Sequence, residues 1–209
     1  MNVVQRKVAA MPMSTAERRI ALRDRLVELA RAQIAEGGLK SLRARDLAQR
    51  AGCALGAIYV VFDDLDEMVL AVNTQTFDSL GKAIRSAERP ADPAGQLVGM
   101  ARAYHAFARD NRHLWRALFD IERPPGTRAP DWYIDRMDAL LALIEGPLLT
   151  LMAGADPAVR RNMARTLFGA VHGIVHLSLD EAGAGLPGPD VDDMVALLLR
   201  RFAGEAGWP

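Results

Sequence analysis

The sequence predicts an all-α fold, and three observations carry that reading. Apolar residues recur at spacings of three, four and seven along nearly every segment. Recognisable helix-opening and helix-closing residues bracket those segments. The only strand-like run, Ile58–Phe62, stands alone, and an isolated short strand cannot make a sheet.

Ser14-Thr15-Ala16-Glu17 is a capping box, and Ile20, Val27, Ala30 and Ile34 place one apolar face behind it. Gly37-Gly38 closes that helix, because glycine takes the left-handed terminal conformation without a Cβ clash. A shorter helix is predicted over about Arg43–Arg50, with Leu42, Leu47 and Ala48 turned inward. Ala51-Gly52-Cys53 is a tight connection into a third helix over about Ala54–Val60. Asp64 to Glu67 supply a cap and first-turn carboxylates for a fourth, which runs through Met68, Val72, Phe77, Leu80 and Ile84 to a stop at Arg89-Pro90. Asp92-Pro93 opens a fifth, and Asn111–Phe119 is a short sixth. Residues 120–129, with Pro124-Pro125-Gly126, read as a loop. A seventh helix is expected over about Pro130–Met152, with Pro147 kinking or breaking it. Asp156-Pro157 opens an eighth, to about Ala182; Gly183–Pro189 reads as a linker; and Asp190 opens a ninth, to about Ala203.

Composition narrows the function classes. The 209 residues are 50% hydrophobic and 25% charged, a globular balance that excludes a disordered or fibrous chain. The longest apolar stretch, about Ala139–Ile144, falls far short of the roughly 20 residues that span a bilayer. The first residues lack the apolar core, about 7–15 residues long, of a secretory signal. A cytoplasmic protein without membrane contact is the expectation. A single cysteine, Cys53, excludes internal disulfides and reads as a small packed residue. No nucleophile–base order, phosphate loop or paired-carboxylate pattern is present, so neither an enzyme nor a bound cofactor is expected.

Net charge is zero, yet it is unevenly spread. Residues 1–62 hold 11 Lys+Arg against 5 Asp+Glu, and residues 63–209 hold 15 against 21. A basic module that meets an anion is thus joined to an acidic body. Within the basic module, two short helices flank a glycine-bearing turn, the outline of a helix-turn-helix. In such a unit one helix braces a second whose N-terminal residues enter the DNA major groove. Lys40, Arg43 and Arg45 lie where they could neutralise phosphates.

The stretch from Leu47 to Phe62 resembles the DNA-binding core of the TetR-family repressors. Leu47-Ala48, Ala51-Gly52, Gly56, Ile58-Tyr59 and Phe62 match that core in one register, and the match extends over about residues 15–75. Val171-His172-Gly173 stands where a subgroup of the family carries Trp-His-Gly. The resemblance implies a helix-turn-helix domain over residues 15–62 after a tail of residues 1–14. It also implies a ligand-binding and dimerisation body over residues 63–209, and a homodimer that a small effector releases from double-stranded operator DNA. On that basis Ala54, Leu55, Gly56, Ala57, Tyr59 and Val60 would face the DNA.

This chain departs from the family in that helix. Ala54 replaces a capping Ser or Thr, Val60 an often polar or aromatic residue, Leu65 the usual Lys, and Arg43 the usual Thr cap. Asp63, Asp64, Asp66 and Glu67 crowd acidic charge beside the phosphate surface. Tyr59 is then the only side chain there able to hydrogen-bond, whereas direct base readout needs donors or acceptors. A dimeric small-molecule-binding protein with a degraded DNA surface is the competing reading.

For the body, Tyr104, Phe107, Trp115, Phe119, Trp132 and Tyr133 concentrate aromatic side chains, and His172 and His176 add polar groups. Such a mixture suits a pocket for a mostly apolar effector, although filling a core uses the same residues. His172 and His176 also have the spacing of a metal pair, but with no third ligand in pattern no metal is expected. Leu167, Val171, Ile174 and Val175, with Val191, Met194, Val195, Leu198 and Phe202, offer a dimerisation surface on the last two helices.

Overall fold

A computed structural model describes residues 13–121, 126, 128–179 and 190–205. The Ser14 hydroxyl accepts from the Glu17 N–H at 3.1 Å, and the Glu17 carboxylate accepts from the Ser14 N–H at 2.6 Å. This capping box opens α1, Thr15–Gly37. Gly38, at φ 72°, ends it in a conformation that L side chains rarely adopt. A 3-10 turn, Leu39–Ser41, follows, which the periodicity did not announce. The Ser41 hydroxyl holds it through the Gln33 and Gly38 carbonyls, at 2.9 and 2.7 Å.

Helix α2, Ala44–Ala51, stops at left-handed Gly52, φ 69° and ψ 35°, and α3 spans Leu55–Val61. The longer α4, Leu65–Arg85, begins where the Asp64 carboxylate accepts from the Glu67 N–H at 2.7 Å. The rest are α5, Pro93–Asp110, α6, Arg112–Ala117, α7, Asp131–Leu151, α8, Pro157–Ser178, and α9, Val191–Glu205. The described residues thus form nine α-helices and no strand, the all-α class that the sequence predicts.

Three expectations change, the first being the end of α4, which stops at Arg85, ahead of the expected Arg89-Pro90. Helix α7 continues past Pro147, which is buried beside Leu148, so of the expected kink or break the break does not occur. Packing therefore outweighs the helical bond that the missing N–H would have made. The sixth helix is shorter than read, ending at Ala117. The tail up to residue 12, residues 122–125 and 127 of the expected loop, residues 180–182 at the expected end of the eighth helix and the Gly183–Pro189 linker lie outside the described residues.

Two apolar cores form. One gathers Leu26, Ile34, Leu47 and Ile58 from α1–α3 and Phe62 just after α3 with Met68 and Val72 of α4 and Leu114 and Ala117 of α6. The other joins α5, α7, α8 and α9 around Tyr104, Trp115, Leu148, Val175 and Leu199, with Phe77 and Leu80 of α4. Helices α4 and α6 therefore serve both cores. At their crossing, fully buried Asn73 donates to the Ala117 carbonyl at 2.7 Å.

Candidate DNA interface and ligand cavity

The first three helices set out a helix-turn-helix surface. Leu47 and Ala48 of α2, and Ile58 and Val61 of α3, are buried, so each short helix has one face fixed. The outward face of α3 carries Leu55, Tyr59 and Val60, with Tyr59 50% and Val60 64% exposed. Ala54 and Gly56 are exposed as well, and Ala57 is half-buried. As its sequence requires, Ala54 caps α3 with no side-chain hydrogen bond.

Lys40 and Arg45 are exposed, and no ion pair of either is seen among the described residues. Arg43 is differently placed: its guanidinium donates to the Lys40 and Leu42 carbonyls at 2.7 and 2.8 Å. Part of the acidic cluster is occupied within the fold. Asp64 caps α4, while Glu67 accepts from the Asp63 N–H at 2.8 Å and lies 3.9 Å from Arg23. The Arg23 guanidinium in turn sits 4.9 Å above the Phe62 ring.

A cavity of about 160 Å³ lies in the body between α4, α5, α7, α8 and α9. Of the residues that the sequence suggested, Tyr104, Phe119 and Tyr133 line it. Phe107, Trp115, Trp132, His172 and His176 do not. Phe107 packs half-buried against the body core, and Trp132 is 43% exposed near the start of α7. The sequence reading missed Phe77, Leu80 and Ile84 of α4 and Met137, Leu140, Leu141 and Ile144 of α7. The signal was present in the apolar run Ala139–Ile144, which read equally well as ordinary core.

Behind the cavity wall lies an aromatic cluster. The Tyr104 hydroxyl accepts from Trp115 Nε1 at 2.9 Å and meets His172 Nδ1 at 2.8 Å. Burial pushes the Tyr104 hydroxyl pKa well above its usual range, so it stays protonated. His172 stacks on Phe168 at 5.7 Å and approaches Phe119 at 4.3 Å between ring centres. His176 is exposed, 5.7 Å from His172 between ring centres. No group of three metal-ligating side chains occurs among the described residues.

Burial, and then the neighbouring His176, hold the His172 pKa below its ordinary 6.5. The unfolded chain therefore binds the proton more readily. His172's contribution to stability is complete above about pH 6.5 and falls away as pH drops below that value. Replacing His172 by Phe should flatten the decline in melting temperature between about pH 7 and pH 5, even if it lowers the whole curve. Calorimetry across that range checks this, and an unaltered slope would count against it.

The last two helices place the suggested dimerisation residues on two sides. Leu167, Val171, Val175 and Val195 are buried within the single chain, and the first two line the cavity. They turn inward because the body needs that stripe for its own core. Ile174, Val191, Met194, Leu198 and Phe202 are half-buried. The outer face instead carries Gly169, Gly173 and Leu177 of α8 and Leu197 of α9, which is 63% exposed.

A helix-turn-helix unit sharing two helices with an all-helical body that carries an apolar cavity is the architecture of a one-component DNA-binding regulator. The sequence comparisons agree. Residues 26–72 match the family of bacterial regulatory proteins called tetR, and residues 97–202 match the tetracyclin repressor-like C-terminal domain. The chain belongs to the TetR family.

Solved structures share the fold. A protein of unknown function from Rhodococcus sp. RHA1 is 25% identical, with a TM-score of 0.69 over 88% of this chain and 94% of that one. RolR in complex with resorcinol is 22% identical, with a TM-score of 0.66 over 93% and 97%. A TetR transcriptional regulator from Rhodococcus sp. RHA1 is 18% identical, with a TM-score of 0.61 over 88% and 97%. Among curated proteins, none matches significantly. No helix of the described residues is long and apolar enough to cross a membrane.

Proposed function

We propose that this chain is a homodimeric transcriptional repressor that leaves its operator when a small, mostly apolar effector fills the body cavity. The observation that carries the reading is the position of α6. Trp115 of this helix is fully buried in the body core beside the cavity-lining Tyr104, while Leu114 and Ala117 belong to the core beneath the DNA-facing helices. His113 Nδ1 donates to the Ala35 carbonyl of α1 at 3.0 Å, and Asn73 of α4 holds the Ala117 carbonyl. An occupant that displaces Tyr104 or Leu118 would move α6, and through it α1 and α4. Packed cores pass on such shifts because they cannot deform continuously. RolR, which shares the fold, is solved in complex with resorcinol, and this supports a small ring compound as effector.

Dimerisation through the outer faces of α8 and α9 would place two α3 helices for successive turns of one face of the duplex. Lys40 and Arg45 would meet phosphates, and Tyr59 would supply the one side-chain hydrogen bond of α3. Binding to duplex DNA from upstream of the protein's own reading frame tests the proposal. Arg45→Ala should weaken binding to all sequences alike. It should flatten the slope of log affinity against log salt by about 0.9 for each phosphate no longer neutralised, twice over in a dimer. Tyr59→Phe should instead cost about 1 kcal/mol per half-site without changing the slope. A second reading has its own support in the uncapped, largely apolar α3. If no duplex, native or random, binds with salt dependence, the chain is a small-molecule-binding protein whose DNA surface has degraded.

A further inference from the structure

We infer that the body cavity selects an uncharged, hydrocarbon-like molecule of about one aromatic ring, held by shape and not by hydrogen bonds; the inference rests on the effector reading above. Among the described residues that line the cavity, none is charged, and the walls are rings, methyl groups and the thioethers of Met100 and Met137. The only lining side chains able to hydrogen-bond are Tyr104 and Tyr133, and both hydroxyls are already engaged. Trp115 and His172 hold the Tyr104 hydroxyl at 2.9 and 2.8 Å, and Asn73 Nδ2 lies 3.4 Å from that of Tyr133. None of these three partners lines the cavity. The polar end of Tyr104 is thus committed behind the wall, and the Tyr133 hydroxyl is turned toward Asn73, so the occupant meets mainly their rings.

Size sets the other bound. A cavity of about 160 Å³ compares in volume with an engineered apolar cavity of about 150 Å³ that takes up benzene, and it opens to solvent past the exposed Phe119 and Met137. A hydroxyl carried past that mouth to the buried walls loses its water without gaining a partner, and an ionised group loses far more. The cavity therefore discriminates by leaving polar groups unsatisfied, and methyl groups are what it accepts best.

Four probes of matched size test this on the full chain: toluene, phenol, benzoate and benzylamine, read by melting temperature and titration calorimetry. Toluene at about ten times its Kd should raise the melting temperature by about 3–6 °C. Phenol should bind at least about fivefold more weakly, and the two ions should give no shift. Leu141→Trp, which puts an indole into the cavity from a partly exposed position, should abolish the toluene effect. Because that variant could fold poorly, the iodine of iodobenzene soaked into crystals of the native chain locates the site independently, and it should lie between α5 and α7. Phenol or benzoate binding as tightly as toluene would overturn the inferred class while leaving a cavity-bound effector in place. No binding by any probe, or iodine found elsewhere, would overturn both.

Discussion

Trp115→Ala should destabilise the chain by about 3–5 kcal/mol and lower its melting temperature by roughly 10 °C or more. The side chain is fully buried and meets Tyr104, Phe119 and His172 at 6.1, 5.6 and 5.3 Å between ring centres. Truncation leaves a void beside the existing cavity, which would also change the shape offered to an effector. Trp115→Phe separates packing from signalling. It keeps most of the buried ring but removes the indole N–H from the Tyr104 oxygen, at a cost of about 1 kcal/mol. If Trp115 links cavity to α6, this variant should bind DNA and effector yet lose much of the effector-induced release. Fluorescence anisotropy of a labelled operator, with and without effector, reads that coupling, which thermodynamics requires to be reciprocal. Full release in Trp115→Phe would show that the signal travels by another route.

The helices were legible because their ends carry their own chemistry. Ser14 with Glu17, Gly52, Asp64 and Asp92 stop or start the chain through local bonds that no tertiary context overrides. The helix-turn-helix was legible for a related reason: its turn and buried positions fall within sixteen consecutive residues, Leu47 to Phe62. What sequence could not supply was the destination of each apolar stripe. In α4, Met68 and Val72 go to one core and Phe77 and Leu80 to the other, although all four belong to one continuous apolar pattern. The cavity suffered from the same ambiguity. Its aromatic residues stood out by composition, but Trp115 and His172 lie one layer behind the wall while plain Leu140 and Ile144 form it. In α8, Leu167, Val171 and Val175 looked fit for a partner chain, because a protomer core and an isologous interface use the same side chains. The outward face is marked by small residues, Gly169 and Gly173, where an added Cβ would meet nothing within the protomer.

That face yields the prediction with the largest effect on assembly. Leu197→Asp should raise the dimer dissociation constant by a factor of about a thousand or more, because each dimer would bury two carboxylates without partners. Leu197 is the better position than Leu198, which already packs half-buried against its own body. At 63% exposure the leucine contributes little to the protomer, so helicity and effector binding should survive. Val195→Asp is the contrasting control: Val195 is fully buried, and a carboxylate there should unfold the body and not merely split the dimer. Small residues matter on the same face, since Gly169 and Gly173 would let two α8 helices approach closely, and Gly173→Leu should weaken association without adding charge. A separated protomer would keep its phosphate contacts from Lys40 and Arg45 but would engage one half-site only, so operator affinity should fall far more than affinity for random duplex. Sedimentation velocity of the native chain and the three variants, followed by operator titration, measures each step. A native chain that sediments as a monomer at micromolar concentration, or a Leu197→Asp dimer as tight as the native one, would remove α8 and α9 from the assembly and with them the proposed spacing of the two α3 helices.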